Sequence, residues 1–257
     1  MSPTVKPSRS LPEHTVDCWV AAEVLERLPD AQLWAPTQVG SDNWDTAFGL
    51  GPTKCFILED KATEPRTPNS TEHKVTIDMH QLMRYIDTVG APVYYVLPAP
   101  PWDAMSTMTT LDPVAPVPAA SRCRTGRRCA HASDAHGPFA TWTYVVDALP
   151  LLRFIADYRT SVGAEFSIRT CDFEKIPGVM TLQEFLRGVE SCDAGGVPYT
   201  DAATARQGWQ VQASRRRAQA RDLWGGGLYE RFGGESRLMK GRSGVLAVAA
   251  PVPGIVA

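Results

Sequence analysis

The sequence predicts an α/β fold, a central mixed β-sheet flanked by α-helices. Three observations carry that prediction. The first hundred residues run in the order helix, three strands, helix, strand. A tight Gly51-Pro52-Thr53 connection makes an antiparallel hairpin of the second and third strands. Pro92 to Leu97 is a short, mostly apolar run entered from a helix, as buried strands are.

The elements follow in chain order. Asp17 is the expected N-cap of a helix through Leu28, with Val20, Ala21, Val24, Leu25 and Leu28 as its apolar stripe and Pro29 as its stop. Gln32 to Thr37, Asn43 to Leu50 and Lys54 to Thr63 are the three strands. A polar loop with Pro65 and Pro68 leads to a helix over Thr76 to Val89, with Met79, Leu82, Met83, Ile86 and Val89 on one face and Gly90 at its C-terminal end. From Ala99 to Pro138 proline, small residues and arginine erase any periodicity, which marks an insertion. Phe139 to Val146 then reads as a strand, Leu149 to Tyr158 as a helix, Glu165 to Thr170 as a strand and Thr181 to Ser191 as a helix. The expected organisation is a flexible tail over 1–16, one domain over 17–193 with its insertion at about 99–138, and a basic, glycine-rich, partly disordered segment over 194–257.

Composition excludes several classes. With 44% hydrophobic and 21% charged residues and a net charge of -2, the 257-residue chain reads as an ordinary globular protein with no overall attraction to polyanions. The charge is uneven, however: nine Lys or Arg stand against three Asp or Glu between Arg206 and Arg242. Residues 1–15 lack the apolar core of a secretory signal, and the apolar run from Gly244 to Ala257 is short and broken by Pro251 and Pro253, so no membrane span is expected. Six scattered cysteines without a dense framework suit a reducing, cytoplasmic setting.

The chemistry concentrates at the end of the third strand, Lys54-Cys55-Phe56-Ile57-Leu58-Glu59-Asp60-Lys61. Side chains alternate along a strand, so Glu59 and Lys61 share a face and Asp60 points away. Charges at the end of a buried strand are costly unless a metal or polyanion meets them. Asp45 lies on the partner strand of the hairpin and is expected to converge on Glu59. Two carboxylates of this kind offer hard oxygen ligands to Mg²⁺ or Mn²⁺, with Glu23 of the first helix as a third. A lysine beside such a site can orient a water or stabilise charge on a phosphate.

Asp45 followed by Glu59-x-Lys61 at the end of an apolar strand resembles the signature of the PD-(D/E)xK, or restriction-endonuclease-like, nuclease superfamily. Gln81-Leu82-Met83-Arg84-Tyr85 on the next helix resembles the Q-x-x-x-Y motif of its RecB-like branch. The resemblance spans residues 17 to 97 and implies a restriction-endonuclease-like core. It implies a Mg²⁺-dependent deoxyribonuclease in which Glu23, Asp45 and Glu59 hold metal, Lys61 is the catalytic lysine, and Gln81 and Tyr85 support the site and the nucleic-acid strand. Trp44 stands where the motif's name has proline, and no cysteine set matches the iron–sulfur cluster of some RecB-like members.

Arg84 and the loop arginines Arg122, Arg124, Arg127 and Arg128 are candidates to grip DNA phosphates. Cys123, Cys129, His131 and His136 bring soft ligands together, but C-x5-C-x-H-x4-H fits no common zinc spacing. Trp19, Trp34, Trp44 and Trp102 are candidates to stack on bases or to pack as core. The C-terminal segment is a candidate contact for a protein partner. The alternative to an enzyme is a catalytically inactive protein of the same fold that serves as a nucleic-acid-binding or protein-interaction module.

Overall fold

The computed structural model describes residues 10–29, 31–34, 46–50, 54–68, 70–88, 92–101, 139–158, 163–190, 211 and 214–223. Its centre is a six-stranded mixed sheet in the order β1-β2-β3-β6-β7-β9. The strands are β1 (Ala31–Trp34), β2 (Thr46–Leu50), β3 (Lys54–Asp60), β6 (Val93–Pro98), β7 (Thr143–Asp147) and β9 (Met180–Thr181). β1, β2 and β3 form an antiparallel meander, β3 lies parallel to β6, and β7 and β9 continue antiparallel. The predicted α/β class with a mixed sheet between helices is therefore the observed one.

Helices cover both faces because the central strands are apolar on both. Phe56, Leu58, Val96 and Val145 face α1 (Glu13–Arg27), the short α3 (Phe139–Trp142) and α5 (Leu182–Glu190). Ile57, Val93, Tyr95, Leu97 and Val146 face α2 (Met79–Thr88) and α4 (Ala148–Ala156). Full burial of a side chain such as Leu58 contributes about 1.5–3 kcal/mol, so β3, apolar from Phe56 to Leu58 and closed off on both sides, anchors the sheet. Truncation of Leu58 to alanine would cost about 2–5 kcal/mol.

A second, three-stranded antiparallel sheet, β4 (Glu64–Pro65), β5 (His73–Asp78) and β8 (Glu165–Arg169), joins the α2 face of the core through Val75, Ile77 and Ile168. Its presence corrects the helix predicted from Thr76. Residues 73–78 alternate between buried and less buried, and only after Asp78 does the chain turn helical. The Asp78 carboxylate accepts a hydrogen bond from the Gln81 backbone N–H at 2.9 Å, an N-cap that ends the strand and starts α2.

Other boundaries also move. α1 begins at Glu13 with Pro12 at its N-cap, so Asp17 is an interior helical residue and residues 10–16 belong to the domain rather than to a tail. Leu11 is buried and exchanges backbone hydrogen bonds with Thr63, which ties the start of α1 to the chain just beyond β3. Phe139 to Trp142 form a helical turn instead of strand. Their rings stack edge-on against each other and against Trp19 of α1, which accounts for part of the tryptophan set as packing. The α5 start is a reciprocal capping box, Glu184 accepting from the Thr181 N–H and Thr181 Oγ1 from the Glu184 N–H.

Beyond residue 194 the expected looseness gives way, in part, to packed structure. Residues 214–223 are helical (α6), Ala220 is fully buried in the core on the α2 face, and Arg216 pairs with Asp147 at 2.6 Å. Asp147 has a second task, since its other oxygen caps α4 by accepting from the Leu149 N–H. The possible zinc residues Cys123, Cys129, His131 and His136 lie outside the described residues, as do Trp44, Trp102 and the apolar C-terminal run. Among the described residues no helix is long and apolar enough to cross a membrane.

Candidate functional site

The end of β3 is buried, not solvated. Glu59 is fully buried and Lys61 is 7% exposed. Two features hold that end in place. Glu59 is in register with Tyr95 of the parallel strand β6, and the Lys61 backbone N–H donates to the Val96 carbonyl at 3.1 Å, carrying the pairing one residue past the strand.

Four side chains close a ring of hydrogen bonds there. The Lys61 ammonium donates to Glu59 Oε1 and, at 3.0 Å, to Gln81 Oε1. Gln81 Nε2 donates to the Tyr85 hydroxyl at 3.1 Å, and that hydroxyl donates to Glu59 Oε2 at 2.5 Å. Each polar group inside the ring is thus satisfied by another member, as groups withdrawn from water require. Gln81 and Tyr85 reach Glu59 together because they are four residues apart on α2 and the Asp78 cap sets the helix's first turn against the strand end. Tyr95 lines the floor, its ring 5.8 Å below the Lys61 ammonium and 6.2 Å from the Tyr85 ring. Tyr95 had no separate signal in the sequence beyond its place in an apolar strand.

The electrostatics follow from burial. Desolvation raises the Glu59 carboxyl above the usual glutamate range; Lys61 and the Tyr85 hydroxyl pull it back, and Glu13 adds to the upward push. A buried carboxyl held up in this way is a group that a neighbouring cation stabilises in its ionised form.

Glu23 is not part of this arrangement. Leu11 and Thr63 bring the start of α1 to the strand end, where Glu13 acts on Glu59, and Glu23 lies ten residues beyond Glu13, a rise of about 15 Å along the helix. Its half-buried carboxyl is raised first by burial and then by Glu26, and its backbone contact is Ala140 of α3. Asp17 instead faces the other side of β3. Burial raises its carboxyl, against the opposing effects of the neighbouring, fully buried Asp60 and of His14 and Lys61 nearby. The sequence held one clue to this pair: Asp17 is four residues from Glu13, hence on the same side of a helix that starts earlier than expected.

Arg84 lies beside the ring with its guanidinium 5.6 Å from the Tyr85 ring centre. Asp45, Arg122, Arg124, Arg127 and Arg128 lie outside the described residues. Thr46, which follows Asp45 in the chain, is paired with Leu58, which precedes Glu59. Among the described residues no three His, Cys, Asp or Glu side chains are grouped to hold a metal ion, and Glu59 is the carboxylate that belongs to the ring. The donors in hand are therefore the hard oxygens of one buried carboxylate, which suit Mg²⁺ or Mn²⁺ in kind. Compared with protein families, with characterised proteins and with solved structures, the chain matches none.

Proposed function

We propose that the protein is a metal-dependent nuclease that hydrolyses phosphodiester bonds in DNA, built on a restriction-endonuclease-like core of the PD-(D/E)xK type. The single observation that supports this reading most is the closed ring of Glu59, Lys61, Gln81 and Tyr85. An ion pair buried with two further polar side chains is costly to fold, and a carboxylate-lysine pair needed only for packing is replaceable by apolar residues at no loss. Such a pair at a strand end, with an aromatic floor and a helix that aims two more polar groups at it, favours chemistry.

Glu59, together with Asp45, would hold a Mg²⁺ or Mn²⁺ ion. When bound, such an ion lowers the pKa of water and neutralises charge on the phosphate. Lys61 is fixed between Glu59 and Gln81, so its ammonium is positioned to hold a water or to stabilise the developing negative charge without reorganising. Gln81 sets where Lys61 points. Tyr85 fixes the second oxygen of Glu59, and Arg84, whose guanidinium lies 5.6 Å from the Tyr85 ring centre, would take a phosphate of the strand. Asp45 enters by its place in the sequence alone: it precedes Thr46, whose partner Leu58 precedes Glu59.

The test is incubation of the full chain with linear, circular and single-stranded DNA in Mg²⁺, Mn²⁺ or EDTA, beside Glu59→Gln. Cleavage that needs the divalent ion and is lost in Glu59→Gln, with circular dichroism unchanged, is the expected result. Cleavage indifferent to Glu59→Gln would overturn the assignment. DNA binding with no cleavage under any condition would favour a non-catalytic binding module.

A further inference from the structure

A cleft of 380 Å³ opens at the edge strand β8, away from the Glu59 ring. Its lining combines aromatic rings, Phe154, Tyr158 and Phe166, with the cations Arg66, Lys74 and Arg169 and, among the described residues, the one carboxylate of Asp172. The volume suits a small organic ligand, and the mixed lining asks for one with a flat apolar part and an anionic part.

Both sets of side chains carry an unusual feature. Tyr158 is 46% exposed although its ring lies 5.5 Å from both Phe154 and Phe166, so an aromatic face is presented at the cleft. Lys74 and Arg169 are directly opposed across the antiparallel β5–β8 pair, where like charges repel. Glu64 takes Lys74 at 3.1 Å, and Asp172 takes Arg169 Nε at 2.7 Å, which offsets that repulsion in part; Arg66 at the rim pairs with Glu72 at 3.3 Å. One hydrogen bond occupies one of the five donors of a guanidinium, so Arg169 keeps capacity for an anion. An anion between the two cations would relieve the rest.

We propose that this cleft binds a nucleotide unit of a single-stranded nucleic acid, its base stacked on Tyr158 and its phosphate held between Lys74 and Arg169 with Arg66 at the rim. Base stacking on an exposed aromatic ring beside a basic groove is the general chemistry of single-strand binding. The choice of a nucleic acid as the ligand rests on the nuclease reading above. The placement is compatible with it: from Lys74, β5 runs to Asp78, which caps α2, and Gln81 follows in the first turn, a backbone path of about 18 Å. A single strand leaving the ring could thus be anchored at the cleft.

The experiment is fluorescence anisotropy of a short fluorescein-labelled oligothymidine with the full chain in EDTA, where cleavage plays no part. Tyr158→Ala should weaken binding roughly tenfold, and Tyr158→Phe should bind like wild type. Lys74→Gln should reduce the slope of log affinity against log salt by about 0.7, the loss of one phosphate contact. Binding unaffected by both Tyr158→Ala and Lys74→Gln overturns the proposal, and so does displacement of the oligonucleotide by a polyglutamate peptide as effectively as by unlabelled oligothymidine. The two readings separate cleanly. Tyr158-dependent binding without Mg²⁺-dependent cleavage supports the cleft and removes the nuclease; cleavage with binding indifferent to Tyr158 removes the cleft and leaves the nuclease.

Discussion

The Tyr85 hydroxyl donates to Glu59 Oε2 while accepting from Gln81 Nε2, so one phenol links the strand end to the helix that follows it. Tyr85 is 1% exposed. Its hydroxyl is therefore a structural member of the site as well as an orienting one. Tyr85→Phe removes the donor to Glu59 and the acceptor for Gln81 and leaves both partners in a water-poor place. Unfolding in urea should show a loss of about 1–3 kcal/mol, and on the proposed nuclease reading Mg²⁺-dependent cleavage should fall as Glu59 loses its fixed orientation. A Tyr85→Phe variant as stable as wild type would contradict the ring.

The Glu59–Lys61 pair predicts a non-additive cycle. Lys61→Met alone strands a buried carboxylate and should cost about 3–5 kcal/mol. Glu59→Gln with Lys61→Met together removes both charges, and the double variant should be as stable as wild type or more so. Denaturation of the two single variants and the double variant gives the coupling directly. Equal and additive losses would mean that the pair is not buried as described.

The raised Glu59 carboxyl fixes a direction with pH. A carboxyl whose pKa is higher in the native state than in the unfolded chain contributes stability below the ordinary glutamate value, and that contribution disappears as pH rises through the raised value. Burial is the main cause, and Lys61, Tyr85 and Glu13 are the groups that face it. Asp17 and Glu23 shift in the same direction, whereas Asp172 and Glu184, held low by their hydrogen-bond partners, act in the opposite one. The comparison that isolates Glu59 is therefore wild type against Glu59→Gln. Stability relative to the variant should drop as pH rises above the ordinary glutamate range, and on the proposed nuclease reading cleavage should rise over the same range as Glu59 ionises. A stability difference that does not change with pH would refute it.

The Arg216–Asp147 pair makes residues 214–223 part of the domain. Asp147→Asn keeps an acceptor for the α4 cap and loses only the ion pair, whereas Asp147→Ala loses both. The alanine variant should be less stable than the asparagine variant by about 1 kcal/mol. Arg216→Ala should cost about 1–2 kcal/mol and speed amide hydrogen exchange over 214–223. Exchange unchanged in Arg216→Ala would show that Ala220 alone holds the helix.

Asp17 and Asp60 offer a local test of packing on the α1 side of β3. Two neighbouring carboxyls withdrawn from water repel when both are ionised, and an amide in place of one can donate to the other. Asp17→Asn should therefore stabilise the protein at neutral pH by about 1 kcal/mol. Thermal melts at neutral and acid pH check it, the gain being expected to shrink as the pH falls and a carboxyl proton takes the amide's part.

Legibility followed the range of the interaction. Period-two alternation alone put Glu59 and Lys61 on one face, and helical spacing alone put Gln81 four residues before Tyr85; both patterns are local, and both side-chain pairs meet as expected. The second sheet was missed although His73, Val75 and Ile77 alternate in the chain, because Thr76 to Asp78 run without a break into the apolar stripe of α2 and a helix pattern absorbed them. The start of α1 was missed because a capping aspartate is a weak local preference, and the Leu11–Thr63 pairing, between residues fifty apart in sequence, overrode it.

By itself, then, the sequence determined the α/β class, the order of the main elements and the residues able to do chemistry at the β3 end, since each depends on side-chain type and periodicity. Only the tertiary structure decided that this end is buried, that Glu59, Lys61, Gln81 and Tyr85 close on one another, that Glu13 acts on Glu59 while Asp17 meets Asp60 on the other side of β3, and that a basic and aromatic cleft forms where β8 meets α4. Burial and convergence arise from contacts between distant parts of the chain, and no local pattern encodes which of them will form.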